Sequence, residues 1–174
     1  MHAIRIHEHG GPEVLRLEEL PDPVPGPGEV VLRVTACALN HVDVDIREGT
    51  SRFPLPFPHT PGLEPVGRIE AVGEGVEGWS VGDRAHVYLY RTCGSCRFCR
   101  GGTENLCPNA GIVGLASDGG YATHLRCPAS MLIPVPEGLS DAEAAATPIA
   151  FATAWHMLFT MAGLRAGETV LINS

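Results

Sequence analysis

Basic charge is scarce in this sequence: Lys and Arg number 12 against 20 Asp and Glu, a net charge of -8, and the basic residues form no run that could track a phosphate backbone. No nucleic-acid partner is expected. Long apolar runs are missing too, since none approaches the roughly eighteen residues that a membrane-crossing helix needs. The first residues, "MHAIRIHEHGGPEVL", hold histidines, a glutamate and Gly-Gly-Pro where an export signal would carry a continuous apolar stretch. The expectation is a cytoplasmic chain without a membrane partner. Six cysteines would allow three disulfides, but in that compartment they should persist as thiols or metal ligands. Internal repeats and low-complexity segments are absent. What is present, 174 residues with 44% hydrophobic and 18% charged, suits one core-bearing globular unit.

The local patterns are mainly those of β-structure. "MHAIRI", "VLRLEEL" and "VVLRVTA" alternate apolar and polar residues, with "GGPE" and "PDPVPGPGE" as the turns between them. "VGRIEAVG" and "RAHVYLY" continue the pattern around the glycine-punctuated "EGVEGWSVGD", and "GYATHLRCP" and "MLIPVPEG" complete it. Such short strands predict a small barrel or sandwich. Pro54, Pro56, Pro58 and Pro61 keep "FPLPFPHTPG" out of helix, because proline lacks the amide donor and restrains its predecessor. The character changes at Ser140, where Ser140 and Glu143 make a capping box that predicts a helix start. Thr147 and Pro148 restart a helix over "IAFATAWHMLFTMAG", apolar nearly all round and therefore expected to be buried, before "TVLINS" reads as a short strand.

Four of the cysteines, Cys93, Cys96, Cys99 and Cys107, crowd into "TCGSCRFCRGGTENLC" with the spacing C-x2-C-x2-C-x7-C. Tetrahedral zinc needs thiolates converging from several directions, and two-residue spacers in tight turns aim neighbouring sulfurs at one point. Four thiolates around Zn²⁺ leave a formal charge of about −2, which Arg91, Arg97 and Arg100 against Glu104 stand ready to offset. Two other readings compete. One is a loop of unmetallated thiols, which would have little core of its own to order it. The other is an iron-sulfur cluster, suggested by the three closely spaced cysteines and the later Cys107-Pro108, although the ferredoxin run closes with a shorter final spacer. A four-sulfur zinc leaves no position for substrate, so on the zinc reading the site is structural.

Taken with that lobe, "GPEVLRLEELPDPVPGPGEVVLRVTACALNHVDVDIREG", "PHTPGLEPVGRIEAVGEGVEGWSVGDRA", "DGGYATHLRCP" and "PIAFATAWHML" resemble the medium-chain dehydrogenase/reductase superfamily, the zinc-containing alcohol dehydrogenases and quinone oxidoreductases. The resemblance implies a mainly β fold with a few helices. A GroES-like β-barrel substrate domain would span residues 1–147 with a zinc lobe at 91–109, and residues 148–174 would begin a Rossmann nucleotide-binding domain whose glycine loop lies beyond "GETVLINS". The chain alone should then not bind a dinucleotide usefully. The resemblance places three catalytic-zinc ligands of the alcohol dehydrogenases at Asn40, Leu63 and Ile149. Leucine and isoleucine cannot bind Zn²⁺ and an asparagine oxygen binds it weakly, so no catalytic zinc is expected.

By the same resemblance Asn40 and Asp43 are the candidate catalytic residues, Asp43 orienting the site. His41 stands where relatives place a basic residue near the cofactor's pyrophosphate, or is simply a surface residue. Thr153 matches a threonine that contacts the nicotinamide, or packs within its helix. Glu64 keeps the family's acid, with a salt-bridged structural carboxylate as the plainer alternative. His59 either lines the cleft or is structural. Cys37 and Cys127 read as core thiols, Cys37 because a shift of three along a strand turns it away from the Asn40 side.

Without a Lewis acid, oxidation of simple alcohols loses its main electrostatic aid, whereas reduction of a polarised C=C bond needs hydride delivery, hydrogen-bond donors and a proton. The expected activity is NAD(P)H-dependent reduction of quinones or α,β-unsaturated carbonyls by a homo-oligomer acting on small molecules. The rivals are a zinc-containing alcohol dehydrogenase acting on alcohols or aldehydes, a non-catalytic zinc-stapled binding module, and a catalytic zinc restored through Cys37, His59 and Glu64.

Overall fold

The computed structural model describes residues 1–51 and 54–173. Its centre is a five-stranded antiparallel sheet in which β3 (Glu29–Ala38) and β4 (Glu64–Val72) are flanked by β8 (His124–Pro128) on one side and by β5 (Arg84–Val87) and β9 (Leu132–Pro134) on the other. β1 (His2–Arg5) and β2 (Arg16–Glu19) form a ribbon that joins this body through the bridges Ala3–Ala122 and Ile6–His59. β6 (Tyr90–Arg91) pairs with β7 (Gly111–Ile112) and closes the base of the cysteine lobe.

Alternation decides which side chains meet. Val30 and Leu32 on β3, Ile69 on β4, Val87 on β5 and Leu125 and Cys127 on β8 share the main core. A second cluster, Ile6, Val14, Ile46, Leu63 and Leu115, lies under α1 (His41–Glu48). A third forms where Ala144 and Ala145 of α3 (Asp141–Ala146) pack on Val66, the small alanines letting the helix come close to the sheet. The expected capping box starts α3, with the Glu143 amide donating to Ser140 Oγ at 3.2 Å and the Ser140 amide to Glu143 Oε2 at 2.8 Å. The proline-rich stretch is not helical from Pro54 to Pro61, while its first residue, Phe53, lies outside the described residues.

Gly67 marks where β3 and β4 run closest. A Cβ there would stand 2.1 Å from the Arg33 carbonyl oxygen and 2.8 Å from its carbon, beside an irregularity in the register at Val34/Ala36. The obstruction is backbone in a central strand pair and cannot rotate away. Gly67→Ala is expected to cost about 2–3 kcal/mol, seen as a lower urea midpoint with little change in slope.

One helix was not anticipated, and two sequence expectations meet a different structure. Residues 41–48 form a helix that strand alternation did not suggest. The helix after Pro148 forms as α4 (Pro148–Trp155) and continues as a π-helical turn over His156–Met161, but it is not buried: Phe151 is 67% exposed, Trp155 65% and Met161 73%. It lies against α3, the cluster touched by Ile149 and Glu64 of β4, while the outer face with Phe151, Trp155 and Met161 is left to solvent. Residues 169–173 of "TVLINS" pair with no strand, and a lone extended segment has no ladder to hold it; Ser174 lies outside the described residues. No helix among the described residues is long and apolar enough to cross a membrane.

Candidate functional site

The cysteine lobe spans the chain between β6 and β7. α2 (Arg97–Arg100) places Cys99 one turn after Cys96, and a short 3-10 turn at Glu104–Leu106 returns the chain so that Cys107 enters from the buried side. The four sulfurs lie within 4.8 Å of one another, with Cys96–Cys99 at 3.5 Å, Cys93–Cys107 at 3.6 Å and Cys93–Cys99 at 3.9 Å. A tetrahedron with metal–sulfur bonds of about 2.3 Å has edges of about 3.8 Å, so the spacing suits one central ion. The thiolates of a multi-iron cluster bind separate irons and must stand further apart. No disulfide links the six cysteines among the described residues.

The electrostatics favour a cation. Backbone amides of Ser95 and Cys96 pull the Cys93 thiol down to about 5, and the Cys99 amide lowers Cys96. Desolvation, then the neighbouring sulfurs, push Cys99 up to about 11. Cys93 and Cys96 are thus favoured toward thiolate, and a cation among the four sulfurs would favour their ionised forms further. Arg97 lies over the Phe98 ring at 4.5 Å, near the lobe but stacked.

A second, buried polar cluster gathers at the junction of β3, α1, β4 and α4. Asn40 caps α1, and its amide donates to Asp43 Oδ2 at 2.8 Å. The Gly62 amide donates to the other Asp43 oxygen at 3.2 Å. Gly62 holds φ at 107° with the Tyr121 ring and amide 2.7 Å from where a Cβ would sit, so only glycine fits this turn. The Asn40 side-chain amide donates to Glu64 Oε2 at 2.7 Å, and the Ile149 amide donates to Glu64 Oε1 at 2.6 Å. Asp43 and Glu64 are both buried.

Burial raises the Asp43 carboxyl above its usual range, against the opposing pull of the Asn40 amide. Burial also pushes the Cys37 thiol up to about 12, and the Asp43 and Glu64 charges add to it. The Tyr121 hydroxyl is raised for the same reasons, burial first and then Asp43 beside it. No described group gives that hydroxyl a hydrogen bond of full geometry, which leaves its polar atom facing the acid.

Asn40, Asp43 and Glu64 are therefore brought together in one buried cluster. The three positions where the resemblance placed metal ligands also converge: Leu63 belongs to the second core cluster, Ile149 packs against that cluster, and Asn40 is tied to both neighbours through Glu64. Glu64 takes amides, and no ion pair reaches it among the described residues. His41 does not join them; its side chain is 90% exposed and stands 3.8 Å from Asp45. Thr153 is exposed on α4.

His59 takes the structural side of its two readings. It is buried, with Nε2 2.8 Å from the Gly114 carbonyl and Nδ1 3.9 Å from Asp118, and it does not converge with Cys37 and Glu64. Among the described residues the four lobe cysteines are the group of three or more metal-ligating side chains that converges. Cys127 is buried as read, whereas Cys37 is half-buried beside Asp43 and Glu64 rather than turned away from them. Sequence reasoning missed Tyr121 and Gly62. The glycine's place after Pro61 and before an acid was a visible sign of a tight turn; Tyr121 carried no signal of its own.

Residues 26–137 match the alcohol dehydrogenase GroES-like domain, and the chain belongs to that family, within the medium-chain dehydrogenases/reductases. It is 38% identical over 159 residues to an alcohol dehydrogenase of Geobacillus stearothermophilus, a match covering 91% of this chain and 47% of that protein. A quinone oxidoreductase of Rattus norvegicus is 37% identical over 175 residues, covering 99% and 45%. The crystal structure of an NAD-dependent alcohol dehydrogenase superposes with a TM-score of 0.92 at 44% identity, over 96% of this chain and 49% of the other. The chain thus spans about half the length of the relatives it matches.

Proposed function

We propose that the chain is the substrate-side part of an NAD(P)-dependent oxidoreductase that reduces quinones or α,β-unsaturated carbonyls without a catalytic zinc and carries one structural zinc on Cys93, Cys96, Cys99 and Cys107. One observation carries this reading: the segments that would have to supply a catalytic metal do converge, but they bring Asn40, Leu63 and Ile149, two of which have no donor atom in the side chain. Residues 1–147 form the substrate domain, and 148–174 begin the nucleotide-binding part, for which the exposed face of Phe151, Trp155 and Met161 is the packing surface.

The nicotinamide would supply hydride to the β-carbon of the acceptor. This chain's residues do the rest. Thr153 and His41, both exposed, are free to meet the dinucleotide. Asp43 receives the Asn40 and Gly62 amides and so fixes the turn that forms the floor of the site. Asp43, its carboxyl raised by burial, is this chain's candidate proton carrier, while burial and the Asp43 charge hold the adjacent Tyr121 hydroxyl too weak an acid to give up its own proton.

The test is a screen of the protein, expressed with the sequence that continues its gene, against benzoquinones, alkenals and primary alcohols with NADH and NADPH, together with metal analysis. Enone or quinone reduction with about one zinc per chain is expected. Alcohol oxidation that tracks a second bound zinc would overturn the proposal.

A further inference from the structure

We infer that Glu64 is a positioning residue whose carboxylate, bridging Asn40 and Ile149, sets where α4 stands relative to the cap of α1. Both of its oxygens are spent, one on the Ile149 amide at 2.6 Å and one on the Asn40 side chain at 2.7 Å, with the residue 2% exposed. The carboxylate replaces a cap that α4 lacks. The first amides of a helix have no acceptor within it, and Pro148 offers no N–H. Thr147, at the cap position, turns its hydroxyl back to the Glu143 carbonyl at 2.6 Å, so that its side chain caps none of the α4 amides. An acid 85 positions away therefore caps the helix, where its charge also meets the positive end of the helix dipole.

Beside this bridge, α4 is held by its contacts with α3 and by Ile149. The Ile149 side chain packs on the cluster of Ile6, Ile46 and Leu63, and beyond it the helix shows its face to solvent. Asn40, at the other end of the bridge, also donates its backbone amide to Asp43. Two carboxylates thus join the α1 cap, the Gly62 turn and the start of α4, and a change in Glu64 moves α4 and Thr153 relative to the acid pair. The consequence for turnover rests on the function proposed above; the bridge itself does not.

Amide hydrogen exchange in the 174-residue chain tests the bridge. In Glu64→Leu, exchange at Ile149 and the next turn of α4 is expected to rise roughly tenfold or more, with β3 and β4 unchanged. Glu64→Gln should rescue it to within about threefold, since the amide accepts from Ile149 while its NH₂ donates to the Asn40 oxygen once that amide turns over. Glu64→Asp keeps the charge but falls a methylene short of spanning both partners, and should behave like Glu64→Leu; it carries the comparison if the leucine variant does not fold. Unchanged exchange at Ile149, an equal rise in β3 and β4, or no rescue by Gln would each overturn the bridge. In the whole oxidoreductase, Glu64→Asp should raise KM for the dinucleotide more than it lowers kcat, and Glu64→Gln should restore it. Altered exchange with unaltered kinetics would overturn the positioning role, and a whole protein without reductase activity would overturn the function while the exchange result stood.

Discussion

Replacing Cys99 with serine is expected to take zinc from about one per chain to none and to unfold the lobe between β6 and β7 while the five-stranded sheet survives. The size of the effect follows from what else holds the lobe. α2 has four residues and is followed by a single 3-10 turn, both far too short to be helical by themselves, and Cys107 is its one well-buried side chain. Structural zinc in isolated peptides contributes on the order of 10–16 kcal/mol near neutral pH, comparable with or larger than the whole stability of a domain, about 5–15 kcal/mol. Loss of one thiolate of four therefore removes the main organising force. The sheet shares none of these contacts, since its core of Val30, Leu32, Ile69 and Leu125 lies elsewhere. Metal analysis and limited trypsin digestion check it: cleavage at Arg97 and Arg100 should become fast in the variant and stay slow in the parent. A parent that carries no zinc, or a brown protein carrying iron, would remove the basis of the prediction.

That lobe was legible because its information is local. Two-residue spacers between cysteines restrict the sulfurs before any tertiary structure exists, and the structure adds only that Cys107 comes back from the buried side. The strands were legible for a related reason: runs rich in apolar residues between turn signals mark extended segments, although burial of Val30, Val31 and Leu32 in succession goes beyond the alternation read from the sequence. α1 was missed although its cap was written in Asn40 and Asp43, because only eight residues follow before Gly49 and the preceding strand pattern runs straight into it. α4 shows the opposite failure. An apolar sequence states that a surface should be covered, but not that the covering elements lie within the same stretch of chain.

The candidate site was half legible. Asn40 and Asp43 could be placed by resemblance, but their partnership with Glu64 and the Ile149 amide is a contact between segments 24 and 85 positions apart, which no local pattern encodes. His59 shows the limit from the other side. A histidine in a proline-rich turn near an acid motif has the chemistry of a site residue, and only the Gly114 carbonyl, brought in from 55 positions away, makes it structural. The general lesson is physical: short-range geometry is carried by spacing and turn chemistry, while the use of a polar side chain depends on which distant backbone group reaches it first.

Acidification from pH 6.5 to pH 4 is expected to cost the fold about 3 kcal/mol through His86 alone, a large share of a typical domain's stability. His86 lies on β5 opposite Val66 of β4 and Ile133 of β9, and it is 4% exposed. Neither ring nitrogen has a partner among the described residues. Burial is the sole cause that lowers its pKa from 6.5 to about 4, with no carboxylate near enough to oppose it. The folded state therefore keeps a neutral imidazole where the unfolded chain accepts a proton. Stabilisation from this site is complete above about pH 6.5 and drains away as the pH falls toward 4, at 1.36 kcal/mol for each unit between the two values. His59, also lowered by burial, acts in the same direction. His86→Leu removes the titrating group and two unpaired nitrogens together, so it should flatten this part of the pH profile and add about 1 kcal/mol at neutral pH. Urea midpoints for parent and variant between pH 7.5 and 4.5 check both claims. Parallel profiles, or an imidazole that titrates near 6.5 in the folded parent by NMR, would show that water or a shifted neighbour satisfies the ring after all.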